Sequence, residues 1–410
     1  MKQIQVGILS FPVIVAALGY FVDIYDLLLF NIVRIPSLRS LGLDENAVNK
    51  SGEFIISLQM IGLLIGGIVW GIMGDKKGRL SVLFGSIILY SAANVVNGFV
   101  TTVDQYAWTR FFAGIGLAGE LGAGITLISE LVSREKRGVS TSLVAGIGLT
   151  GAVVAYFLSR EFNWRICYFI GGGLGVCLLF LRVSVFESGM FKTMRDQKIG
   201  RGKFSMFFTD RTRFKKYILS ILIGLPTWYV IGILIAFSNK FGKNFGINEE
   251  ILPGKATMFA YVAISIGDVL VGLLSQYLKS RKKTLYIFYA ITAVMIAAYF
   301  LQGNGSSSNE MYFICAGLGF ATGFWAIFVT MAAEQFGTNL RATAATTVPN
   351  MVRGSLPLML LLFNWLQHFF TYSASGLITG IIIMAVTVTA AIFTEETFGK
   401  ELNYMETLPV

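Results

Sequence analysis

Long apolar runs separated by short polar loops make up most of the chain. About twelve of these runs are long enough to cross the roughly 30 Å hydrocarbon layer of a bilayer. Because lipid offers no partner to backbone N–H and C=O groups, we predict that each run is a helix. The runs are 7–33, 52–73, 80–99, 104–132, 139–159, 164–182, 215–239, 255–277, 284–302, 309–335, 341–368 and 373–394.

A polar, basic stretch interrupts these runs near the middle of the chain and divides them into six and six. The pattern predicts an all-α membrane protein with twelve transmembrane helices in two pseudo-symmetric six-helix bundles. The first run is too long for a signal peptide and contains two aspartates, so we expect it to remain as the first span. The predicted units are an N-terminal bundle (1–182), a cytoplasmic central loop (183–214), a C-terminal bundle (215–394) and a cytoplasmic tail (395–410).

Composition supports lipid as the main solvent of the chain. Of 410 residues, 55% are hydrophobic and 14% are charged, against about 25% charged residues in soluble domains. The net charge of +10 does not indicate a nucleic-acid partner, because most Lys and Arg residues lie in short loops or at the ends of runs on one side. Arg182, at the end of the sixth run, is counted on that side. That asymmetry predicts a multi-pass protein of the bacterial inner membrane with both termini in the cytoplasm. Arg34 falls on the opposite, extracytoplasmic side.

A short motif lies between the second and third runs. Gly74–Arg79 reads GDKKGR and follows Gly71, which resembles the cytoplasmic loop motif G-x-x-x-D-x-x-G-R-[KR] of the major facilitator superfamily. The resemblance implies a loop whose charge pairs stabilise the outward-open state, with Glu130, Glu135 and Glu334 as possible partners; a solvated basic loop is the alternative. The resemblance assigns this role to Gly71, Asp75, Lys76, Gly78 and Arg79.

Further matches are typical of particular branches of this superfamily. Gly19–Phe30 (GYFVDIYDLLLF) resembles signatures of the phosphate:proton and metabolite:proton symporters, and Arg110–Glu120 (RFFAGIGLAGE) resembles a helix that both groups share with sugar porters. Ala333–Ala344 resembles the sugar-porter turn after the tenth span, with Gly337 where proline is usual. The resemblance covers essentially the whole chain and implies a transporter, not an enzyme.

Ionisable residues inside the apolar runs are candidate functional groups, because charge in the bilayer is costly. If all of them were charged, the acids would outnumber the bases, so we expect at least one carboxyl to be protonated at rest. The acids are Asp23, Asp26, Glu120 and Asp268, and the bases are Arg110 and Arg353.

Four of these residues are candidates for proton coupling. Asp23 and Asp26 share one helix face, and two close carboxyls can exchange a proton. Arg110 lies at the depth of Asp26 on an antiparallel helix, so an ion pair between them is expected; it could respond to protonation or be a permanent structural pair. Glu120 lies near the midplane, where it could take part in transport or form a helix–helix hydrogen bond.

Arg353 is the leading candidate for holding an anionic substrate, because a guanidinium pairs two oxygens at once. The alternative is a buried Asp268–Arg353 pair without ligand contact. The aromatic candidates could equally serve packing or interfacial anchoring. The predicted substrate-binding residues are Tyr25, Gln59, Trp228, Tyr229, Asp268, Trp325, Asn350 and Arg353.

The sequence contains no nucleotide-binding loop, nucleophile elbow or metal-ligand spacing that would indicate an enzyme or an ATP-driven pump. We therefore predict a proton-coupled symporter that imports a small polar metabolite, an organic or inorganic anion, by alternating access. The alternatives are an exporter of drugs or of a siderophore-like polycarboxylate, and a membrane sensor that binds a ligand without transport. We expect a monomer in the lipid bilayer with a small-molecule substrate and no metal or cofactor besides the coupling proton.

Overall fold

The computed structural model describes residues 10–77, 79–120, 134–187, 204–303, 305–400 and 406. Within these ranges, the side chains of residues 12, 74–77, 79–81, 134–143, 184–187, 338 and 342 are not described.

The described residues of the first half form six helices. α1 runs past the predicted end at residue 33, and Arg34, Ser37 and Leu38 in its last turns are buried. α2 likewise begins before residue 52. The described part of α4 ends early in its predicted span. The helices are α1 Phe11–Ser40, α2 Glu45–Lys77, α3 Arg79–Asn97, α4 Val103–Leu117, α5 Arg134–Glu161 and α6 Trp164–Glu187.

The described residues of the second half also form six long helices, three of which are interrupted. After a single helical turn at Met206–Thr209, α7 comprises Arg211–Leu222, Leu225–Tyr229, a π-helical turn at Val230–Ile235, and Ser238–Asn244. α10 comprises Ser308–Ala321 and Trp325–Glu334, and α11 comprises Thr338–Gly354 and Leu356–Leu366. The uninterrupted helices are α8 Pro253–Leu278, α9 Arg281–Phe300 and α12 Tyr372–Phe393.

Proline accounts for two of these interruptions. Pro226 and Pro357 each stand in the first turn of a new segment, in α7 and α11 respectively. Proline lacks a backbone N–H and clashes with the preceding turn, so the helix stops and restarts there. The break in α10 has no proline and requires another cause.

Side-chain caps define where several helices begin. Each capping oxygen accepts a hydrogen bond from the backbone N–H three residues later, which satisfies a donor that the helix leaves open. The caps are Thr102 on α4, Asp210 on α7, Ser280 on α9, Ser307 on α10 and Thr371 on α12.

The two halves pack with matching partners. α2 packs on α11, and α5 packs on α8. Since α8 is the counterpart of α2, and α11 is the counterpart of α5, six helices later in each case, the second contact repeats the first. Within the halves, α2 on α4 likewise corresponds to α8 on α10. The prediction of an all-α fold with two pseudo-symmetric bundles is confirmed.

Glycines allow the closest of these helix contacts. A Cβ on Gly114 of α4 would lie 2.3 Å from the Gln59 carbonyl oxygen of α2. A Cβ on Gly151 of α5 would lie 2.2 Å from the Phe21 carbonyl oxygen of α1. Neither position can carry a side chain at this helix spacing, as expected where membrane helices pack through small residues.

Apolar side chains cover the outside of the bundle. Leu273, Phe313 and Leu361, which lie within helices, are 61%, 79% and 66% exposed. In the described part of the chain, eight helices are long and apolar enough to cross a membrane. Lipid is the solvent that such a surface requires.

Candidate functional site

Arg110 of α4 forms a buried ion pair with Asp26 of α1, as the sequence predicts. Arg110 Nη1 lies 3.0 Å from Asp26 Oδ1, and Nη2 donates to the Asp26 carbonyl oxygen at 3.0 Å. The same guanidinium donates to Asn94 Oδ1 at 2.9 Å and to Gln59 Oε1 at 3.4 Å. Gln59, predicted to bind substrate, thus belongs to the environment of Arg110. A coupling role for the pair stays a prediction.

Asp23 lies one turn before Asp26 and has a different environment. Its side chain is fully buried, and no described residue donates a hydrogen bond to either carboxylate oxygen. Of the charged groups that act on Asp23, Arg353 of the second half has the largest effect. An ionised carboxylate without a partner is costly to bury, so this acid requires a cation or a proton.

Glu120 forms the second buried ion pair, with Arg182 of α6. Arg182 Nη1 donates to Glu120 Oε1 at 3.0 Å, and Nη2 donates to Oε2 at 2.6 Å. Ser86 Oγ donates to Oε1 at 3.1 Å. The sequence predicts that the sixth span ends at Arg182, but α6 continues beyond it and the side chain is buried. Gly19 of α1 leaves room for the guanidinium, since a Cβ there would lie 2.4 Å from Arg182 Nη2.

Arg353 of α11 is buried without a carboxylate partner among the described residues. Its Nη1 donates to Asn350 Oδ1 at 3.4 Å, and its Nε has no described hydrogen-bond partner. Its Cζ atom lies 5.7 Å from the ring centroid of Trp325, within the range of a cation–π contact. The arrangement leaves hydrogen-bonding capacity next to an aromatic face.

Asp268 does not pair with Arg353, so the alternative of a buried Asp268–Arg353 pair is wrong. Its Oδ1 accepts from the backbone N–H of Ala326 at 2.9 Å, and the Trp325 backbone also bonds to this carboxyl. These residues begin the second segment of α10, so Asp268 caps that segment. Its Oδ2 has no described partner, and a role in substrate binding stays a prediction.

Two of the predicted aromatic residues are satisfied by neighbouring helices. The Tyr25 hydroxyl donates to the Cys167 carbonyl oxygen at 2.8 Å, and the Tyr229 hydroxyl donates to the Gly376 carbonyl oxygen at 2.7 Å. Both rings are fully buried. These contacts favour the packing alternative for Tyr25 and Tyr229.

Trp228 and Asn350 differ from the two tyrosines. The indole N–H of Trp228 is buried and has no described partner. Asn350 Nδ2 donates to the Ala118 carbonyl oxygen at 2.8 Å, a hydrogen bond that joins α11 to the end of α4. Asn350 therefore links the two halves beside Arg353.

The loop motif is described only in part. Gly71 faces α11, where its Cβ would lie 3.1 Å from Thr347 Cγ2. Glu334, a possible partner of the loop cations, instead lies 3.2 Å from Arg281 and accepts from Thr397 Oγ1 at 2.7 Å. Gly78, Glu130 and the side chains of Asp75, Lys76, Arg79 and Glu135 lie outside the described residues.

Sequence reasoning missed three buried cations. Arg213, in the first turn of α7, lies near the carboxylates of Asp210 and Glu406. The other two lie deeper in the bundle and are Arg34 and Arg182. With them, the acids and bases within the described spans balance, which corrects the expected excess of acid. Two ion pairs remain, together with acids and bases that lack an oppositely charged partner among the described side chains. These unpaired groups are Asp23, Asp268, Arg34 and Arg353.

Comparison with known proteins agrees with the fold. The sequence pattern of the Major Facilitator Superfamily matches residues 16–355. The chain is 26% identical to the niacin transporter NiaP of Acinetobacter baylyi (85% of this chain, 86% of the relative) and 23% identical to the benzoate transport protein of the same organism (97% and 93%). It is 25% identical to the 3-(3-hydroxy-phenyl)propionate transporter of Escherichia coli, over 72% of each chain.

A solved structure has the same fold. The proton:xylose symporter XylE, bound to 6-bromo-6-deoxy-D-glucose, superposes with a TM-score of 0.69 at 16% identity and covers 96% of this chain and 97% of its own. The predicted resemblance is thereby confirmed across most of the sequence. The chain belongs to the Major Facilitator Superfamily and is a multi-pass membrane transporter, not an enzyme.

Proposed function

We propose that this transporter imports a small aromatic or similarly planar carboxylate together with a proton, by alternating access. The proposal depends on one observation above all: Arg353 is a buried base without a carboxylate, and Asp23 is a buried acid without a hydrogen-bond donor, among the described residues. One carboxylate and one proton would satisfy both groups. The two residues belong to opposite bundles, α11 and α1.

Electrostatics links the binding of a carboxylate at Arg353 to the binding of a proton at Asp23. While the site is empty, the positive charge of Arg353 is the main charge that favours ionised Asp23. A bound carboxylate neutralises Arg353 and thereby favours the protonated form of Asp23. By reciprocity, a proton on Asp23 strengthens binding of the anion. Substrate and proton therefore load together, as symport requires.

Trp325 supports the choice of substrate class. Its ring lies beside the Arg353 guanidinium, so a planar carboxylate can pair with the cation and contact the aromatic face at once. The relatives named above transport niacin, benzoate and 3-(3-hydroxy-phenyl)propionate, and each of these substrates has a ring and a carboxyl group. A substrate of the same class, with a ring and a carboxyl group, would fit the aromatic ring of Trp325 and the guanidinium of Arg353 in this chain.

The two buried ion pairs have a different role in this proposal. Arg110 makes three side-chain contacts and one backbone contact, and Glu120 is held by Arg182 and Ser86. Groups that are satisfied in this way hold helices in place more readily than they exchange a proton. We therefore assign the proton to Asp23. Asp26 and Arg110 position α1 against α4, and Glu120 holds the end of α4 against α3 and α6.

Uptake into proteoliposomes tests the proposal. Purified protein is supplied with radiolabelled nicotinate or benzoate under an inward pH gradient, and the expected result is accumulation that a protonophore abolishes. Arg353→Gln should abolish uptake, whereas Arg160→Gln, at an exposed position at the end of α5, should not. Uptake that is indifferent to the pH gradient, or net export driven by it, would contradict proton-coupled import.

A further inference from the structure

Arg34 crosses from one half of the protein to the other near the end of α1. Its side chain is fully buried. Gly52 of α2 provides the space, because a Cβ there would lie 2.6 Å from Arg34 Cδ. The loop charges predict that this end of α1 faces the extracytoplasmic side. Arg34 is therefore a cation enclosed between the bundles on the side from which an imported substrate arrives.

The contacts of Arg34 satisfy only part of its guanidinium. Nη2 donates to the Ala236 carbonyl oxygen of α7 at 2.8 Å, and Cζ lies 4.4 Å from the centroid of the Phe237 ring. No described residue accepts from Nε or Nη1. One carbonyl and one ring face thus replace the water shell of a full positive charge, which is an expensive way to bury a cation.

Nearby acids do not neutralise this charge. Glu53 of α2 acts on Arg34 electrostatically, but its carboxylate lies 3.7 Å from Lys240 Nζ and accepts from Asn364 Nδ2 at 3.1 Å. Glu45 forms its ion pair with Lys243. No described carboxylate forms an ion pair with Arg34. Glu53 and Glu45 are paired with Lys240 and Lys243, so the positive charge of Arg34 stays uncompensated.

We propose that Arg34 is a second anion-recognition site, which binds the carboxylate of the substrate at the extracytoplasmic entrance before it reaches Arg353. The inference rests on the proposed function. Ala236 and Phe237 belong to α7, so they withdraw with the second bundle when this side opens, and the guanidinium stays with α1. Nε, Nη1 and Nη2 then face the entrance, where two parallel hydrogen bonds to a carboxylate fit the guanidinium fork.

An intermediate binding site changes the rate of passage but not the equilibrium across the membrane. Removing it should therefore lower Vmax/KM equally for uptake and for efflux when no pH gradient is present. The loss of a charge-assisted hydrogen bond predicts a decrease of about tenfold or more. The decrease depends on positive charge, so a lysine at this position should retain most of the activity.

The experiment compares Arg34→Gln and Arg34→Lys, which both keep an N–H donor for the Ala236 carbonyl but differ in charge. Proteoliposomes that take up nicotinate or benzoate are assayed in both directions, with Arg39→Gln, at an exposed position of the same helix, as the matched control. We expect a loss of about tenfold or more in Arg34→Gln, near wild-type values in Arg34→Lys, and no change in Arg39→Gln. Equal melting temperatures show that the variants are folded.

Two results would overturn the inference. If Arg34→Gln and Arg34→Lys behave alike, or if Arg34→Gln transports normally, Arg34 holds the bundles together and does not recognise the anion. If the wild type carries neither anion, the proposed function fails, and this inference fails with it. Wild-type transport thus separates the two cases.

Discussion

Asp268 Oδ1 accepts a hydrogen bond from the backbone N–H of Ala326 at 2.9 Å, so a carboxylate of α8 caps the second segment of α10. This contact accounts for the break in α10, where no proline is present. Gly267 and Gly323 allow α8 and α10 to approach at the same level, since a Cβ on Gly323 would lie 2.6 Å from Gly267 Cα. Trp325, the first residue of the capped segment, is thereby placed beside Arg353.

Replacing Asp268 by alanine should weaken both folding and substrate binding. The missing cap costs about 0.5–2 kcal/mol, and Trp325 loses the contact that fixes its position, so KM should rise. Asp268→Asn keeps an acceptor oxygen and should recover part of both properties. Melting temperature and uptake kinetics of the purified variants provide the measurements.

The cap at the start of α12 provides the control for Asp268. Thr371 accepts from the Ala374 backbone N–H at 3.3 Å and is exposed. Thr371→Ala should lower the melting temperature without changing KM. An Asp268→Ala variant with the same profile would show that Asp268 has no influence on the substrate site.

The Glu120–Arg182 pair should behave as a unit in stability measurements. Removing one member leaves a buried charge unpaired, which costs about 3–5 kcal/mol, whereas removing both costs less. We therefore expect Glu120→Gln and Arg182→Met each to lower the melting temperature strongly, and the double variant to melt above either single variant. Additive losses in the double variant would contradict the pairing.

Part of this site could be predicted from the sequence, because it depends on the spacing of residues along one helix and on their depth in the membrane. The i, i+3 spacing of Asp23 and Asp26 and the depth of Arg110 on an antiparallel helix were sufficient to predict the Asp26–Arg110 pair. Arg34 and Arg182 were missed because each lies where an apolar run ends: Arg34 directly follows the first run, and Arg182 is the last residue of the sixth. A hydropathy pattern therefore ends the helix there. Their burial depends on helices that are distant in the sequence.

The interruptions of the helices show the same limit. Pro226 identifies the break in α7 from sequence alone, because proline cannot continue a helix. The break in α10 depends on Asp268, which lies more than fifty residues earlier in the chain. The residue that caps the segment after such a break can therefore be identified only once the fold is known.

The tail after α12 should release from α9 in acid. Glu396 accepts from the backbone N–H groups of Arg281 and Lys282 at 2.9 and 3.2 Å, and Ser280 Oγ also donates to it. Burial raises the pKa of Glu396, but the hydrogen bonds from Ser280 and from backbone N–H groups outweigh burial and hold the pKa below its ordinary value of 4.5.

The sign of the pH effect follows from this lowered pKa. The docking contribution is fully present above the ordinary pKa and is lost as the pH falls through the lowered value in the folded state. The protection factor of the amides at residues 395–400, which corrects for the slower intrinsic exchange in acid, should accordingly be high at neutral pH and fall as the pH is lowered. Glu396→Gln should show low protection at every pH. The same acid-induced loss of protection in Glu396→Gln would assign the effect to another group.

Asp23→Asn should separate exchange of the substrate from its accumulation. Asparagine resembles a permanently protonated aspartate, so the loaded state still forms, and labelled nicotinate or benzoate should still exchange between the two sides of a proteoliposome. Accumulation under a pH gradient should be lost, because no proton is bound or released in the cycle. Asp104→Asn, at an exposed position in the first turn of α4, should leave both activities unchanged. Accumulation that persists in Asp23→Asn would move the proton to another buried acid, and Asp268, whose Oδ2 has no described partner, would be the next residue to test.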